Sequence, residues 1–185
     1  MIEIYHNVLD PEEQKQLHKI INKPKWSYNG ISNFQPNRTF WYMELIDEPF
    51  IINYFFQKIK KILERDVELL RVYANGQTHG LDGEYHQDSD CEDDITFLYY
   101  YTPIIDCDKV LDDYGGHTQF KLPDEHMTYS FEPRNNTAIL FPSILWHRGL
   151  SPSSREYGLR ITIAFKLKEI KPIHNERKKS HLSET

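Results

Sequence analysis

The sequence has only two cysteines, Cys91 and Cys107, in 185 residues. They form no CxxC pair, and two cysteines cannot build the disulfide framework of a small secreted domain. The sequence also lacks the long uncharged apolar run of a transmembrane helix, and it does not open with a basic region followed by an apolar stretch. These absences predict a reducing compartment, no membrane partner and a cytoplasmic location.

Positive charge is scarce as well. The 22 Lys and Arg residues are outnumbered by 28 Asp and Glu residues, which gives a formal net charge of -6. Proteins that bind nucleic acid use Lys and Arg to neutralise phosphates, so nucleic acid is a disfavoured partner. The basic residues Arg177, Lys178 and Lys179 fall in a polar tail at 171–185, which we interpret as a solvated chain end.

Aromatic residues are abundant, with 10 Phe, 12 Tyr and 3 Trp. From Leu69 onward they occur in short runs with β-branched residues, separated by turn signals such as Asn75-Gly76 and Asp82-Gly83, and this pattern predicts strands. The predicted strands are 69–74, 84–88, 95–102, 117–122, 127–132, 137–142, 145–149 and 159–167. Their number favours a mainly β (α+β) fold, a double-stranded β-helix of the jelly-roll or cupin-like type.

Two helices are predicted ahead of these strands. Asp10-Pro11-Glu12-Glu13 combines a capping residue, a proline in the first turn and early acidic residues, so a short helix should begin there. A second helix is predicted from about Glu48-Pro49, because apolar residues recur at helical spacing over 52–63. The prediction is a single domain over 1–170, with a helical N-terminal part at 1–68, a jelly-roll core at 69–167 and the tail at 171–185.

His86-Gln87-Asp88 is a candidate pair of metal ligands. At the end of a strand His86 and Asp88 would point to the same side, because side chains alternate between faces. His147, after the apolar strand 137–142, is the best candidate for a third ligand. Two histidines and one carboxylate form the facial triad of non-haem iron(II) oxygenases. The motif is short enough to arise by chance, and His174-Asn175-Glu176 in the tail has equivalent spacing.

Arg160 lies near the start of the predicted strand 159–167. Alternation places Arg160, Thr162 and Ala164 on one face, and Leu159, Ile161, Ile163 and Phe165 on the other. A buried arginine needs an anion, and its planar guanidinium fits a carboxylate in a bidentate manner. The face with Arg160 would therefore suit a dicarboxylate that chelates a metal at its other end. The alternative is an outward-facing Arg160 that forms an ordinary salt bridge.

Together these residues resemble the 2-oxoglutarate and iron(II) dioxygenases, in particular the prolyl hydroxylase branch. The resemblance is carried, in order, by residues 71–76, 86–88, 95–101, 115–120, 141–142, His147 and 160–162, with a fainter echo in 8–13. It implies iron(II) bound by His86, Asp88 and His147, and 2-oxoglutarate bound by Arg160, Tyr100, Tyr73 and Thr162. Tyr99 or Tyr101 could replace Tyr100, since a shift of one residue reverses the face.

Two features depart from the family pattern. The basic residue is Arg, as in hypoxia-type prolyl hydroxylases, whereas the collagen type uses Lys. The gap of thirteen residues between His147 and Arg160 is at the long end of the family range, and Arg155, in an apparent loop at a gap of eight, is a weaker competitor.

The resemblance further implies decarboxylation of 2-oxoglutarate to succinate and CO2 with O2, coupled to hydroxylation of a C–H bond, with ascorbate as a reductant. Peptidyl-proline is the leading substrate, which makes a peptide or protein the expected partner. The alternatives are a free amino acid, a small metabolite or a nucleobase, or a non-catalytic cupin-like binding protein. The oligomeric state is not predicted.

Two sets of residues are candidate substrate contacts. The acidic run 88–94 could border the mouth of the site and attract a basic peptide, although a solvated loop is the simpler interpretation. Five aromatic residues could form a wall for an apolar group, although early aromatic residues more often belong to a core: Trp26, Tyr28, Phe34, Trp41 and Tyr42.

Overall fold

The computed structural model describes residues 1–31, 38–101, 114–121 and 127–171. Phe34, Cys107 and residues 172–185, which include His174 and the basic residues Arg177, Lys178 and Lys179, lie outside these ranges. Within them, no helix combines the length and apolar character needed to cross a membrane.

The described residues form ten strands and two α-helices. The strands are β1 (Glu3–His6), β2 (Ser27–Gly30), β3 (Phe40–Glu44), β4 (Val67–Gln77), β5 (Asp94–Tyr101), β6 (Thr118–Lys121), β7 (Thr128–Phe131), β8 (Thr137–Pro142), β9 (Trp146–Gly149) and β10 (Arg160–Glu169). The helices are α1 (Pro11–Ile21) and α2 (Phe56–Leu63), the latter preceded by a π-helical segment at Phe50–Phe55. A 3-10 turn spans Arg155–Tyr157.

The strands form two antiparallel sheets. The major sheet has the order β1-β8-β5-β10-β4-β3-β2, and the minor sheet has the order β7-β6-β9. One face of the major sheet packs on the helices, and the other packs on the minor sheet around Phe120 and Phe141. This arrangement confirms the prediction of a mainly β, double-stranded β-helix with N-terminal helices.

Helix α1 begins where the sequence predicts. The Asp10 side chain accepts hydrogen bonds from the backbone N–H groups of Glu12 and Glu13, and the Glu13 side chain accepts from the backbone of Asp10. This capping box satisfies N–H groups that the first helical turn leaves free. Leu17, Ile20 and Ile21 are buried against the major sheet, as predicted.

Strand β10 shows the predicted alternation. Ile161, Ile163 and Phe165 belong to the core beneath the helices, whereas Ala164 lies in the core between the sheets. Arg160 and Thr162 share the face of Ala164 and line a cavity there. The outward-facing alternative for Arg160 is therefore wrong.

Three expectations need correction. Residues 84–88 form no strand: only His86 pairs, in an isolated bridge with His147, because the Asp88 N–H turns away to the Ser143 carbonyl. Asn75-Gly76 is not a turn, since β4 continues through it to Gln77. Gly76 instead allows close packing, because a Cβ there would lie 2.7 Å from Leu159 Cδ2.

The third correction concerns the N-terminal part, 1–68. It contributes β1, β2 and β3 to the major sheet besides the helices, so it is not purely helical. These strands are four or five residues long. Strand β1 pairs with β8 and β3 pairs with β4, both distant in sequence, whereas β2 pairs only with β3. Local pattern alone does not reveal the long-range pairing.

The Asn136 side chain, in the turn before β8, forms hydrogen bonds with the segment before α1. Its Oδ1 accepts the Leu9 N–H at 2.7 Å, its Nδ2 donates to the Leu9 carbonyl at 2.8 Å, and its φ of 58° is left-handed. Asn136→Ala should lower the free energy of unfolding by roughly 2–3 kcal/mol, since it leaves the buried Leu9 N–H unpaired and strains the backbone. Urea denaturation measures this. The control Asn135→Ala should cost less than about 1 kcal/mol, and equal losses would contradict the assigned role.

Candidate metal and anion site

The two histidines present matching ring nitrogens to one point. The Nδ1 atom of His86 lies 2.9 Å from the Glu84 carbonyl, and that of His147 lies 2.8 Å from the Leu145 carbonyl. A carbonyl can only accept, so each Nδ1 carries the proton and each Nε2 is left with a lone pair. Burial lowers the pKa of His147 to about 4, which keeps this imidazole neutral.

Asp88 completes the cluster. Its Oδ1 lies 3.5 Å from His86 Nε2, and its Oδ2 lies 3.4 Å from His147 Nε2. Burial opposes the charge on this carboxylate, but Lys166, His147 and His86 outweigh that effect and hold the pKa of Asp88 well below its usual range. The carboxylate is therefore ionised and ready to bind a cation.

The three side chains fit a divalent first-row metal. One ligand atom from each lies within 4.8 Å of the others. Metal–nitrogen and metal–oxygen bonds of about 2.1 Å set at right angles separate neighbouring ligand atoms by about 3 Å, close to the distances from Asp88. Two imidazoles and one carboxylate would hold such an ion and would leave coordination positions for other ligands.

Asp88 Oδ2 has two further partners. Thr96 Oγ1 donates to it at 2.7 Å, and Lys166 Nζ forms an ion pair with the same oxygen. Oδ1 has no Thr or Lys donor among the described residues and is the freer oxygen for a metal. These contacts orient the carboxylate and favour monodentate binding, which preserves open coordination positions.

Arg160 is buried on the same cavity as the cluster, and among the described residues it bonds only to neutral groups. Its Nε donates to the Gly116 carbonyl at 2.5 Å, Nη1 to Gln77 Oε1 at 2.8 Å and Nη2 to Thr118 Oγ1 at 2.9 Å. Burial lowers the pKa of Arg160, although a guanidinium stays charged near neutral pH. A buried cation without a described carboxylate partner is the signature of an anion site.

The metal-ligand cluster and Arg160 line the same cavity. It has a volume of about 380 Å³, and His86, Asp88, His147, Thr118 and Arg160 are among its lining residues. Gly149, which the Arg160 side chain approaches, follows His147 by two residues on β9, a separation of roughly 7 Å along a strand. The cavity can therefore hold a short ligand that meets a metal at one end and Arg160 at the other.

Several solved structures are similar to this chain. The chain is similar to a prolyl hydroxylase from Trichoplax adhaerens in complex with a hypoxia inducible factor peptide fragment, with a TM-score of 0.66, 16% identity and coverage of 91% of this chain and 83% of that one. A 2OG-Fe(II) oxygenase family oxidoreductase from Burkholderia pseudomallei gives a TM-score of 0.70 at 10% identity over 90% and 84% of the two chains. A viral collagen prolyl hydroxylase from Paramecium Bursaria Chlorella virus-1, as its 2OG complex, gives 0.63 at 18% identity over 91% and 96%.

The fold is that of the 2-oxoglutarate and iron(II) oxygenases. No protein-family model and no curated protein sequence matches the chain. The likeness is thus one of architecture at low sequence identity, and it extends over nine-tenths of the chain.

Within this oxygenase fold, Tyr100 is the inward-facing tyrosine of β5. Its hydroxyl donates to Thr118 Oγ1 at 2.8 Å, and Arg160 Cζ lies 5.9 Å from its ring centroid. Tyr99 faces the core beneath the helices, and the Tyr101 hydroxyl lies 2.5 Å from His18 Nδ1. Burial raises the pKa of Tyr100 to about 12, so its hydroxyl keeps its proton.

Tyr73 and Thr162 also lie where the sequence places them, on the lining of the cavity. Thr162 is opposite Asn75 in the sheet, and the buried Asn75 Oδ1 has no hydrogen-bond partner among the described residues. An amide can present either its oxygen or its nitrogen. A bound polar ligand would complete this group, which fits a co-substrate site.

Arg155, the weaker competitor, is exposed on the 3-10 turn and does not line the cavity. Of the proposed aromatic wall, Tyr42 lines the cavity, whereas Trp26 packs against the core beneath the helices. Tyr28 and Trp41 contact each other with ring centroids 5.3 Å apart. In the acidic run, Asp94 accepts from Ser89 and Asp93 pairs with Lys171.

Sequence reasoning assigned no role to Thr118, Gln77 or Lys166. Thr118 Oγ1 accepts from both Tyr100 and Arg160, so its own hydroxyl hydrogen is left to donate to a ligand. Gln77 fixes the guanidinium, and its Nε2 donates to the Gly149 carbonyl at 2.9 Å. Lys166 could have been found by extending the alternation from Arg160 through Thr162 and Ala164.

Gly149 leaves the space that Arg160 and Gln77 occupy. A Cβ at this position would lie 2.8 Å from Gln77 Oε1 and 3.1 Å from Arg160 Nη1. Gly149→Ala should therefore displace the guanidinium and weaken 2-oxoglutarate binding about tenfold, or about 1.4 kcal/mol, with metal affinity unchanged. Calorimetric titration of the variant with Mn(II) measures the metal affinity. Titration of the Mn(II)-loaded variant with 2-oxoglutarate measures the co-substrate affinity. An unchanged 2-oxoglutarate affinity would show that Arg160 does not hold the co-substrate.

Proposed function

We propose that this chain is an iron(II)- and 2-oxoglutarate-dependent dioxygenase that hydroxylates a C–H bond, converting 2-oxoglutarate to succinate and CO2. The observation that carries the proposal is the pairing, in one cavity, of the His86, Asp88 and His147 cluster with the buried Arg160. A metal-binding cupin without a co-substrate would not need a buried guanidinium that lacks a carboxylate partner.

His86, Asp88 and His147 would hold the iron, which when bound supplies the oxidising chemistry with O2 and 2-oxoglutarate. The chain's own residues would bind and orient the 2-oxoglutarate. Arg160 would grip the distal carboxylate of 2-oxoglutarate in a bidentate manner, with the Thr118 hydroxyl as a further donor. Tyr100 fixes Thr118, and Gln77 fixes Arg160. Ascorbate as reductant and a cytoplasmic location belong to the same proposal.

Peptidyl-proline is the proposed substrate. Two of the similar structures are prolyl hydroxylases, and one of them is in complex with a peptide fragment. Tyr42 and Phe40 give the cavity an aromatic side that suits a pyrrolidine ring. A free amino acid or other small metabolite is the second candidate, and the cations in the cavity, described below, favour it.

Turnover distinguishes the enzyme from a binding protein. Purified protein with iron(II), ascorbate and O2 should convert 2-oxoglutarate to succinate, and a proline-containing peptide library should give products one oxygen atom heavier by mass spectrometry. Succinate without a modified peptide would favour the small-metabolite substrate. A protein that forms no succinate with any substrate offered, although it binds metal, would favour the cupin-like binder.

A further inference from the structure

Two cations lie opposite each other on the inner face of the major sheet. Arg71 on β4 and Lys166 on β10 are direct partners in the antiparallel register. Both approach the ring of Tyr73, with Arg71 Cζ at 4.9 Å and Lys166 Nζ at 5.7 Å from its centroid. Like charges directly opposite in a sheet destabilise it. Asp88 pairs with Lys166, so Arg71 is the cation of the two that has no anion among the described residues.

The charges of the cavity do not balance. Among its described lining residues, Arg71, Lys166 and Arg160 are cationic, and Asp88 is the one carboxylate. Two positive charges are therefore in excess. An iron(II) ion adds two more, and a doubly charged 2-oxoglutarate removes two. The excess of two remains in a chain whose net charge is -6, so it does not reflect a generally basic surface.

Neighbouring carboxylates are engaged elsewhere. Glu44 on β3 accepts from the Tyr42 hydroxyl at 2.6 Å and from the Leu45 N–H at 3.1 Å. Asp94 accepts from Ser89 Oγ at 2.6 Å and lines a second cavity of about 310 Å³, which Arg71 and Lys166 also border. Lys166 pairs with Asp88, whereas Arg71 has no ion pair in the part of the chain that the structure describes.

We infer that the substrate carries a carboxylate, and that Arg71 binds it beside Lys166 at the metal end of the cavity. The inference rests on the proposed function and names the chemistry that selects its substrate. The guanidinium of Arg71 presents a planar fork that matches a carboxylate, and Lys166 adds a point charge. Tyr73 supports both cations through its ring face.

The carboxylate has two possible sources. It can belong to an acidic side chain of a peptide, next to the residue that is hydroxylated, or to a small free acid. A cavity of about 380 Å³ that also holds the co-substrate accepts either a single side chain or a small molecule.

The test uses protein loaded with Mn(II) and saturating 2-oxoglutarate. Bound Mn(II) broadens the proton NMR signals of molecules held near it, which gives a dissociation constant for each probe. The probes are acetate against acetamide, and the N-acetyl N-methylamide of aspartate against that of asparagine. In at least one pair the acid should bind at least about tenfold more tightly than the amide, the size of a charged hydrogen bond.

Arg71→Gln should remove this preference, because it removes the guanidinium that binds the carboxylate. The variant should fold, since Arg71 is exposed and its loss leaves no buried charge unpaired. The control is Lys121→Gln, since Lys121 Nζ lies over the Tyr85 ring at 4.0 Å but outside the cavity. This variant should keep the preference. A preference for acetate alone identifies a free acid as the source, and a preference for the aspartate derivative identifies a peptide side chain.

Two results of the probe titrations would overturn the inference. One is equal binding of acid and amide in both pairs, and the other is an acid preference that survives Arg71→Gln, which would indicate direct coordination of Mn(II). Calorimetric titration with 2-oxoglutarate is done first, on the unmodified protein and on Arg71→Gln. Loss of 2-oxoglutarate binding in Arg71→Gln would assign Arg71 to the co-substrate instead and also overturn the inference. Absence of metal-dependent 2-oxoglutarate binding in the unmodified protein contradicts the proposed function itself.

Discussion

Arg160→Gln should weaken 2-oxoglutarate binding about a hundredfold and leave metal binding unchanged. The guanidinium is buried, and the described residues give it only neutral partners. A bidentate charged contact with a carboxylate contributes roughly 1.5–3 kcal/mol per hydrogen bond, and glutamine supplies neither the charge nor the fork. Calorimetry with Mn(II)-loaded protein measures the co-substrate affinity, and a titration with Mn(II) alone measures the metal affinity.

The matched control is Arg155→Gln. Arg155 is exposed on the 3-10 turn, and it is the other arginine that spacing allowed as the carboxylate ligand. Its replacement should leave the 2-oxoglutarate affinity within about twofold. The reverse result, with Arg155 required and Arg160 dispensable, would show that the co-substrate site is assigned to the wrong residue. Arg160→Lys keeps the charge without the fork and should fall between the two variants.

His86→Ala should lower succinate formation by more than about a thousandfold. His86 directs Nε2 to the cluster, and removal of a metal ligand costs more than the 10–100-fold typical of residues that only support ligands. The fold should survive, because the side chain is 19% exposed and its Nδ1 bonds to the carbonyl of Glu84, two residues away. Stopped assays for succinate, together with a thermal unfolding curve, measure both effects.

Asp88→Ala should lose turnover to the same extent and lose stability too. It leaves Lys166 buried and unpaired, which costs roughly 3–5 kcal/mol in comparable ion pairs. His79→Ala is the control for both variants, since His79 is exposed and contacts the Pro152 carbonyl. Turnover by His86→Ala near that of His79→Ala would contradict the metal site.

The fold was predictable where one segment carries its own signal. The capping residues fix the start of α1, and alternation along β10 places Arg160 and Thr162 toward the cavity and Ile163 toward the helices. Strands β1 to β3 were missed because they are short, and because β1 and β3 are stabilised by partners far away in the sequence. The segment 84–88 was predicted as a strand because its alternation is real, although only His86 pairs.

The candidate site was likewise predictable only in part. His86 and Asp88 lie together as predicted, although their segment is not the strand on which that prediction relied. The inward direction of Arg160 follows from the alternation along its strand. The choice among Tyr99, Tyr100 and Tyr101 needed the register of β5, which the sequence does not specify. The contacts of Lys166 and Thr96 with Asp88 join three separate segments, so no local pattern predicts them.

The most direct test of the account is the binding of 2-oxoglutarate with and without iron(II) under anaerobic conditions. Binding is measured by calorimetry and by the charge-transfer absorption of a chelated keto acid. The account predicts one 2-oxoglutarate per chain in the presence of iron(II) and at least about tenfold weaker binding without it. Binding that is absent in both conditions, or equal in both, would contradict a site in which metal and Arg160 hold the co-substrate together.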